Sequence, residues 1–198
     1  MIYILLGLDI IKLMLVCENC PMRLFNTRNY NLKGIGNPHY GICIVIPNVD
    51  YQAYKQGSIG FSKQVEIIKD IISSSSSSTG ELDLFIVPLI RCNETISCEL
   101  TDDIYYRCIT HFANDIYKYN FKYIMLLGDA GKKFLNVSIK DNLNNIFISS
   151  HNRYYIVNYS PLIKYIDDTK FEDFKNHLLK WYNSIKSKYF TNYNFIKL

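Results

Sequence analysis

The sequence predicts an α/β fold in which a mainly parallel sheet is covered by helices on both faces. Three observations lead there. Apolar runs of strand length, such as Gly41–Pro47 (GICIVIP), are continuous rather than alternating, as strands buried on both faces require. Between these runs, apolar residues return at helical spacing. Strand and helix then alternate along most of the chain, the pattern of layered α/β domains. A length of 198 residues, 48% hydrophobic and 20% charged, suits one well-buried domain, so residues 1–198 are read as a single unit.

Taken in order, Met1–Val16 reads as a core helix interrupted by Asp9 and Lys12. It falls short of the ~20 apolar residues that cross a bilayer, and it lacks the basic start and small-residue cleavage site of a signal peptide. After the strand Gly41–Pro47, the residues Phe61, Val65, Ile68 and Ile72 form a helical stripe. Ser73–Gly80, with six consecutive serines, reads as a flexible loop inside the domain. Leu82–Leu89 is a second strand. Ile104, Cys108, Phe112 and Ile116 mark the next helix, with Asp102 and Asp103 in the first turn, where the helix dipole favours them.

Tyr123–Gly128 is a third strand, Asp129–Leu135 a short helix, and Asn145–Ser149 and Arg153–Tyr159 further strands. A last helix begins at Thr169, with Glu172 completing a capping box, and buries Phe171, Phe174, Leu178, Trp181, Tyr182 and Ile185. Ligands of such sheets sit at the carboxyl ends of the strands. The segments after Ile46, Leu89, Gly128 and Asn158 are therefore the candidate site.

The 22 Lys+Arg exceed the 18 Asp+Glu to give a formal charge of +4, compatible with a phosphate-backbone partner without requiring one. Lys132, Lys133, Lys164, Lys186 and Lys188 are candidate phosphate contacts, and an ordinary solvated surface is the simpler reading of them. The skew toward Ile, Lys, Asn and Tyr follows AT-rich codons, as in viral, phage or parasite genomes. Without an export signal the chain is expected to be intracellular, cytoplasmic or nuclear, with no membrane partner. Its six cysteines then read as thiols or metal ligands rather than a disulfide framework.

Cys17 and Cys20 form a C-x-x-C pair, Cys92 ends the second strand, and Cys108 lies sixteen residues further on, in a helix. Four thiolates from separated elements suit a tetrahedral zinc or a four-iron cluster. Cys43, in a strand, and Cys98, in a loop, fall outside this set. Cys17-Glu18-Asn19-Cys20-Pro21-Met22, then Gly34-Ile35-Gly36-Asn37-Pro38 and the strand GICIV, resemble the opening of the thermostable iron–sulfur uracil-DNA glycosylases. That family runs C-x-x-C-x-L, G-x-G-N-P and a strand into its first catalytic motif. Leu89-Ile90-Arg91-Cys92 is similar to its V-V-K-C, and Cys108 fills its fourth ligand position. Ile124–Ala130 (IMLLGDA) is similar to its I-x-x-L-G-x-x-A strand and turn, and Lys170–Lys175 to its last helix.

The resemblance covers nearly the whole chain, in order. It implies a three-layer sandwich around a central, mainly parallel four-stranded sheet flanked by helices. It also implies a [4Fe–4S] cluster on Cys17, Cys20, Cys92 and Cys108, with zinc as the alternative.

The catalytic motifs of that family are largely overwritten. A glycosylase must flip a nucleotide into a pocket, stack on it, read its edge and stabilise charge. Where the family carries Gly-Glu-Ala-Pro-Gly, this chain has Ile46-Pro47-Asn48-Val49-Asp50. Asn48 falls at the third position, where other branches of the superfamily carry a water-positioning Asn, and Asp50 is another candidate base. Both residues equally suit the turn after a strand. Phe61 resembles the ring that stacks on the flipped base, or else opens a core-facing helix. Pro88 stands near the base-reading Asn of the family and has neither a side-chain amide nor an N–H.

The His-Pro-Ser motif becomes Asn158-Tyr159-Ser160-Pro161-Leu162-Ile163-Lys164, with Asn158 or Ser160 at the histidine position. Leu162 and Ile163 are candidate minor-groove wedges and Lys164 a phosphate contact, or a core-packed turn. His39, His111, His151 and His177 have no motif around them. Losing a positioned acid or base costs ~10²–10⁴ in rate, and losing an oxyanion donor about another 10²–10³. The expectation is a DNA-associated, catalytically impaired protein that binds DNA or a replication or repair partner. The alternatives are an active glycosylase of altered specificity and an interaction subunit that never touches nucleic acid.

Overall fold

The computed structural model describes residues 17–18, 20–25, 31–75, 83–93 and 100–198. The expected helix at Met1–Val16, residues 76–80 of the Ser-rich loop, and Cys98 lie outside them. The described helices are α1 (Pro21–Phe25), α2 (Tyr51–Gln56), α3 (Lys63–Ser75), α4 (Asp102–Tyr119), α5 (Asp129–Leu135) and α6 (Asp168–Ser187). The strands are β1 (Ile35–Gly36), β2 (Ile42–Ile46), β3 (Phe85–Pro88), β4 (Tyr123–Leu127), β5 (Asn145–Ile148), β6 (Tyr154–Asn158) and β7 (Asn194–Lys197).

The chain is α/β with one mixed sheet of seven strands, ordered β1-β3-β2-β4-β6-β5-β7. This is wider than the four strands expected. The contiguous pairs β3–β2, β2–β4 and β4–β6 are parallel, whereas β1 and β5 join antiparallel and β7 pairs parallel to β5. β1 is too short to carry a periodicity, and β7 is exposed along its whole length, so neither shows a buried apolar run.

Burial on both faces explains the continuous apolar strands. Ile42, Ile44 and Ile46 of β2 pack with Val65, Ile68 and Ile72 of α3 and Phe174, Leu178 and Trp181 of α6. Cys43 and Val45, pointing the other way, pack with Phe112 and Ile116 of α4 and Ala130 and Leu135 of α5. The two helical groups thus cover opposite faces.

Local chemistry sets the helix ends. Thr101 caps α4 by accepting from the Ile104 N–H, Asp102 and Asp103 occupy its first turn, and Asn120 closes it in a left-handed conformation. α6 is capped by Asp167, which accepts from the Lys170 N–H at 3.0 Å, and not by the expected Thr169–Glu172 box. An aspartate two residues earlier offers a carboxylate to the positive end of the helix, and the chain starts its helix there. α3 likewise runs on through Ser75, into the stretch expected to be loop. Serine is a tolerable helix former once the preceding turns are packed.

Candidate functional site

Two groups of side chains gather the predicted site residues. One lies at the carboxyl ends of β2, β4 and β6. The other lies beyond the end of β3, against α1 and α4.

At the first, Gly128 leaves β4 with φ 54° and ψ −133°, a conformation restricted to glycine. A Cβ there would stand 3.0 Å from the Ser160 Cβ and 3.2 Å from the Pro47 Cγ. The strand ends thus close on one another, and the Gly128 N–H donates to the Asn158 carbonyl at 2.9 Å.

Asn158 is fully buried. Its Nδ2 donates to the Phe174 carbonyl at 3.0 Å and its Oδ1 accepts from the Tyr159 N–H at 2.9 Å. Asp50 caps α2 by accepting from the Ala53 N–H, and its other oxygen accepts from the Ser62 hydroxyl at 2.6 Å and the Lys63 N–H at 3.0 Å. Ser160 caps the 3-10 turn Pro161–Tyr165, accepting from the Leu162 N–H. Pro88 ends β3, buried opposite Ile46. Asn158, Asp50 and Ser160 therefore have their polar atoms engaged in holding the backbone.

Asn48 is different. Its Oδ1 and its carbonyl both accept from the Gln64 Nε2, at 3.3 and 3.1 Å. Gln64 is completely buried and its Oε1 has no protein partner among the described residues. Phe61 is 57% exposed, in the 3-10 turn Ile59–Phe61, and so is not a core residue. A solvent-open cavity of ≈ 330 Å³ lies beside it, bordered by Gln52, Ser62, Glu66, Lys69 and Asp70.

In the following turn Leu162 and Ile163 are half-buried, Ile163 against the core, and Lys164 is exposed. The most exposed apolar groups there are Tyr165 and Ile166, at 62% and 81%. Sequence patterning missed them because they lie just past the motif, at the end of a turn whose short period hides which residue faces out. The Lys63 ammonium lies 5.9 Å from the Tyr165 ring, so this turn and the start of α3 share one surface.

The second group is built on cysteine. Cys20 before α1, Cys92 after β3 and Cys108 in α4 share one buried cluster with Met22, Ile90 and Ile104. Cys17 stands half-exposed at its edge, with its sulfur 2.9 Å from His111 Nε2. His111 lies three residues after Cys108, hence on the same face of α4, a relation the sequence offered and no motif flagged. Burial pushes the Cys108 thiol up to about 12, reinforced by Cys92, Cys20 and Cys17, while the Arg91 backbone N–H bonded to it acts the other way. Burial also raises Cys17 and lowers His111 to about 4. Cys43, in the opposite core and also raised by burial, belongs to packing.

Cys17, Cys20, Cys92 and Cys108 are not joined in disulfides. Among the described residues no three His, Cys, Asp or Glu side chains form a group that could hold a metal ion. A single zinc draws its thiolates onto bonds of about 2.3 Å; a four-iron cluster, ligated at its corners, takes thiolates standing further apart. Cys20 before α1, Cys92 after β3 and Cys108 in α4 are the residues that would hold such a centre, with Cys17 beside them. Metal binding there would expel the protons that burial otherwise holds on sulfur.

No helix among the described residues is long and apolar enough to cross a membrane. No protein-family profile and no curated protein matches this chain.

Proposed function

We propose that this chain is a DNA-associated protein that keeps a uracil-DNA glycosylase-like three-layer scaffold, with a four-stranded parallel centre, and has given up the excision chemistry. In this reading Cys17, Cys20, Cys92 and Cys108 hold a [4Fe–4S] cluster, and the protein serves DNA replication or repair by binding DNA or a partner. The observation that carries it is the contrast between the two groups. Cys20, Cys92 and Cys108 share one buried apolar cluster, with Cys17 near it. At the strand ends, the carboxylate of Asp50 and the amide of Asn158 are consumed by backbone N–H and carbonyl groups.

Anaerobic purification tests the reading. Iron and acid-labile sulfide in equal, cluster-level amounts, lost in Cys92→Ser, are expected, together with no release of uracil from uracil-containing DNA. A colourless, iron-free protein that folds normally would remove the cluster. DNA binding is expected to weaken steeply with added salt, and the absence of binding at low salt would favour a purely structural subunit.

A second reading, an active glycosylase of altered specificity, draws on Asn48. Gln64 holds its Oδ1 by donating from Nε2 at 3.3 Å. A panel of damaged and mismatched bases decides it. Cleavage abolished by Asn48→Ala supports this second reading, and uniform inactivity eliminates it.

A further inference from the structure

The two ends of the sheet are built differently. At one end β1 is two residues long and finishes at Gly36, in the left-handed region with φ 94°. So short an edge offers little to a neighbouring chain. At the other end β7 runs through Asn194, Phe195, Ile196 and Lys197, and among the described residues it pairs with β5 and no other strand. It holds no proline, no residue at positive φ and a single charge, so it lacks the devices that usually blunt an edge. Its side chains alternate between the two faces, and each face carries an exposed apolar group, Phe195 at 52% and Ile196 at 37%.

The backbone determines which groups are open. The N–H groups of Asn194 and Leu198 donate to the carbonyls of Asn144 and Ile148, both at 2.9 Å. Successive residues of a strand direct their N–H and C=O to opposite edges. Asn194, Ile196 and Leu198 therefore turn toward β5, while Phe195 and Lys197 turn to the open edge.

Two such edges related by a two-fold axis complement each other. Antiparallel pairing about Ile196 sets Phe195 of each copy opposite Lys197 of the other, and the paired residues exchange both N–H···O bonds. The Lys197 ammonium, the charge of the edge, then falls beside an aromatic ring rather than another ammonium. On the opposite face Ile196 meets Ile196 of the other copy, an apolar cross-strand pair. Pairing about Phe195 would instead set Lys197 opposite Tyr193, which is buried and precedes the strand.

We propose that β7 is a dimerisation edge, to which a second copy of this chain adds antiparallel about Ile196, joining two sheets into one. The proposal is independent of the cluster and DNA readings. A closed two-fold pair is the commonest symmetry of soluble oligomers. An edge of 4 residues is small beside the ~1,200–2,000 Å² of a standard interface, so the association is weak and concentration-dependent.

Sedimentation velocity over a concentration series tests it, with wild type beside Ile196→Lys and Lys197→Pro. Ile196→Lys sets two ammonium groups against each other at the axis and is expected to weaken the dimer about 10-fold or more. Lys197→Pro removes an outward N–H and leaves the bonds to β5 in place, so it is expected to weaken the dimer with an unchanged circular dichroism melt. Mild oxidation followed by denaturing electrophoresis reads the register. Opposed Cα atoms at the axis stand about 4.5 Å apart, within the span of a disulfide. Ile196→Cys is therefore expected to cross-link in pairs, and Lys197→Cys to stay at the wild-type level. A wild type that is monomeric throughout the series would overturn the proposal, whether the edge is open or covered by another segment or another protein. So would a dimer that both Ile196→Lys and Lys197→Pro leave intact, or cross-linking of Ile196→Cys no greater than that of Lys197→Cys.

Discussion

The cysteine cluster and the residues at the strand ends are of similar chemical promise and have opposite fates. At the strand ends, Asp50 satisfies three donors and Asn158 bridges Phe174 to Tyr159, so their polar atoms are spent on the fold. In the cysteine group, Cys20, Cys92 and Cys108 pack into one buried apolar cluster, and burial is the largest influence on the Cys17 and Cys108 thiols. The difference teaches that a polar residue at the end of a strand is no sign of chemistry until its partners are counted. A side chain whose polar atoms are engaged by the backbone acts first on stability.

Perturbing the strand ends should therefore cost stability first. Asn158→Ala would remove both hydrogen bonds of a fully buried amide and open a small void, and should lower unfolding free energy by about 3 kcal/mol in urea denaturation. Unchanged stability with altered DNA binding would break the contrast. Asp50→Ala removes a helix cap and two further acceptor contacts, an expected loss of about 2 kcal/mol, with Asp50→Asn retaining part of it. Gly128→Ala, strained at positive φ and pressed against Ser160 and Pro47, should lose about 2 kcal/mol by the same measurement.

Phe61→Ala sharpens the comparison from the other side. Its ring is exposed, so stability should change by no more than about 0.5 kcal/mol. Any sizeable loss of oligonucleotide affinity would then report a contact with ligand.

The smallest effect concerns Asp83, whose carboxyl is held below its usual range first by its hydrogen bond to Lys186. A carboxylate depressed in the folded state contributes stability above its unfolded value near 3.8, and that contribution is lost as pH falls through the folded value. Lys186→Met should remove under about 1 kcal/mol near neutral pH and leave stability at the acid end unchanged.

Much of the fold was legible. β2 through β6 and helices α3 to α6 fall within a few residues of where apolar period and length put them, because strands buried on two faces and helices with one buried stripe must write those patterns. α2 was not foreseen. It is one and a half turns long with a single buried residue, Ala53, and it exists because Asp50 caps it. β7 escaped because an exposed edge strand needs only backbone partners on one side. In the site, the cysteine spacing pointed to residues that the structure gathers into one region. The roles open to Asn48, Asp50 and Asn158 could not be weighed from sequence, since a side chain's availability depends on neighbours far along the chain.

By itself the sequence determined the class of fold, the order of its central elements and the positions of four cysteines, at 17, 20, 92 and 108. These are local facts, written in burial pattern and residue type. Only the tertiary structure decided that Gln64 holds Asn48, that Phe174 and Tyr159 consume the amide of Asn158, and that Arg91 lies buried against Asp115 beside the thiols. Apart from the bond between the adjacent Asn158 and Tyr159, each of these joins residues at least sixteen positions apart. Hydrogen-bond satisfaction and desolvation act through space, where the order of residues along the chain no longer says who is near.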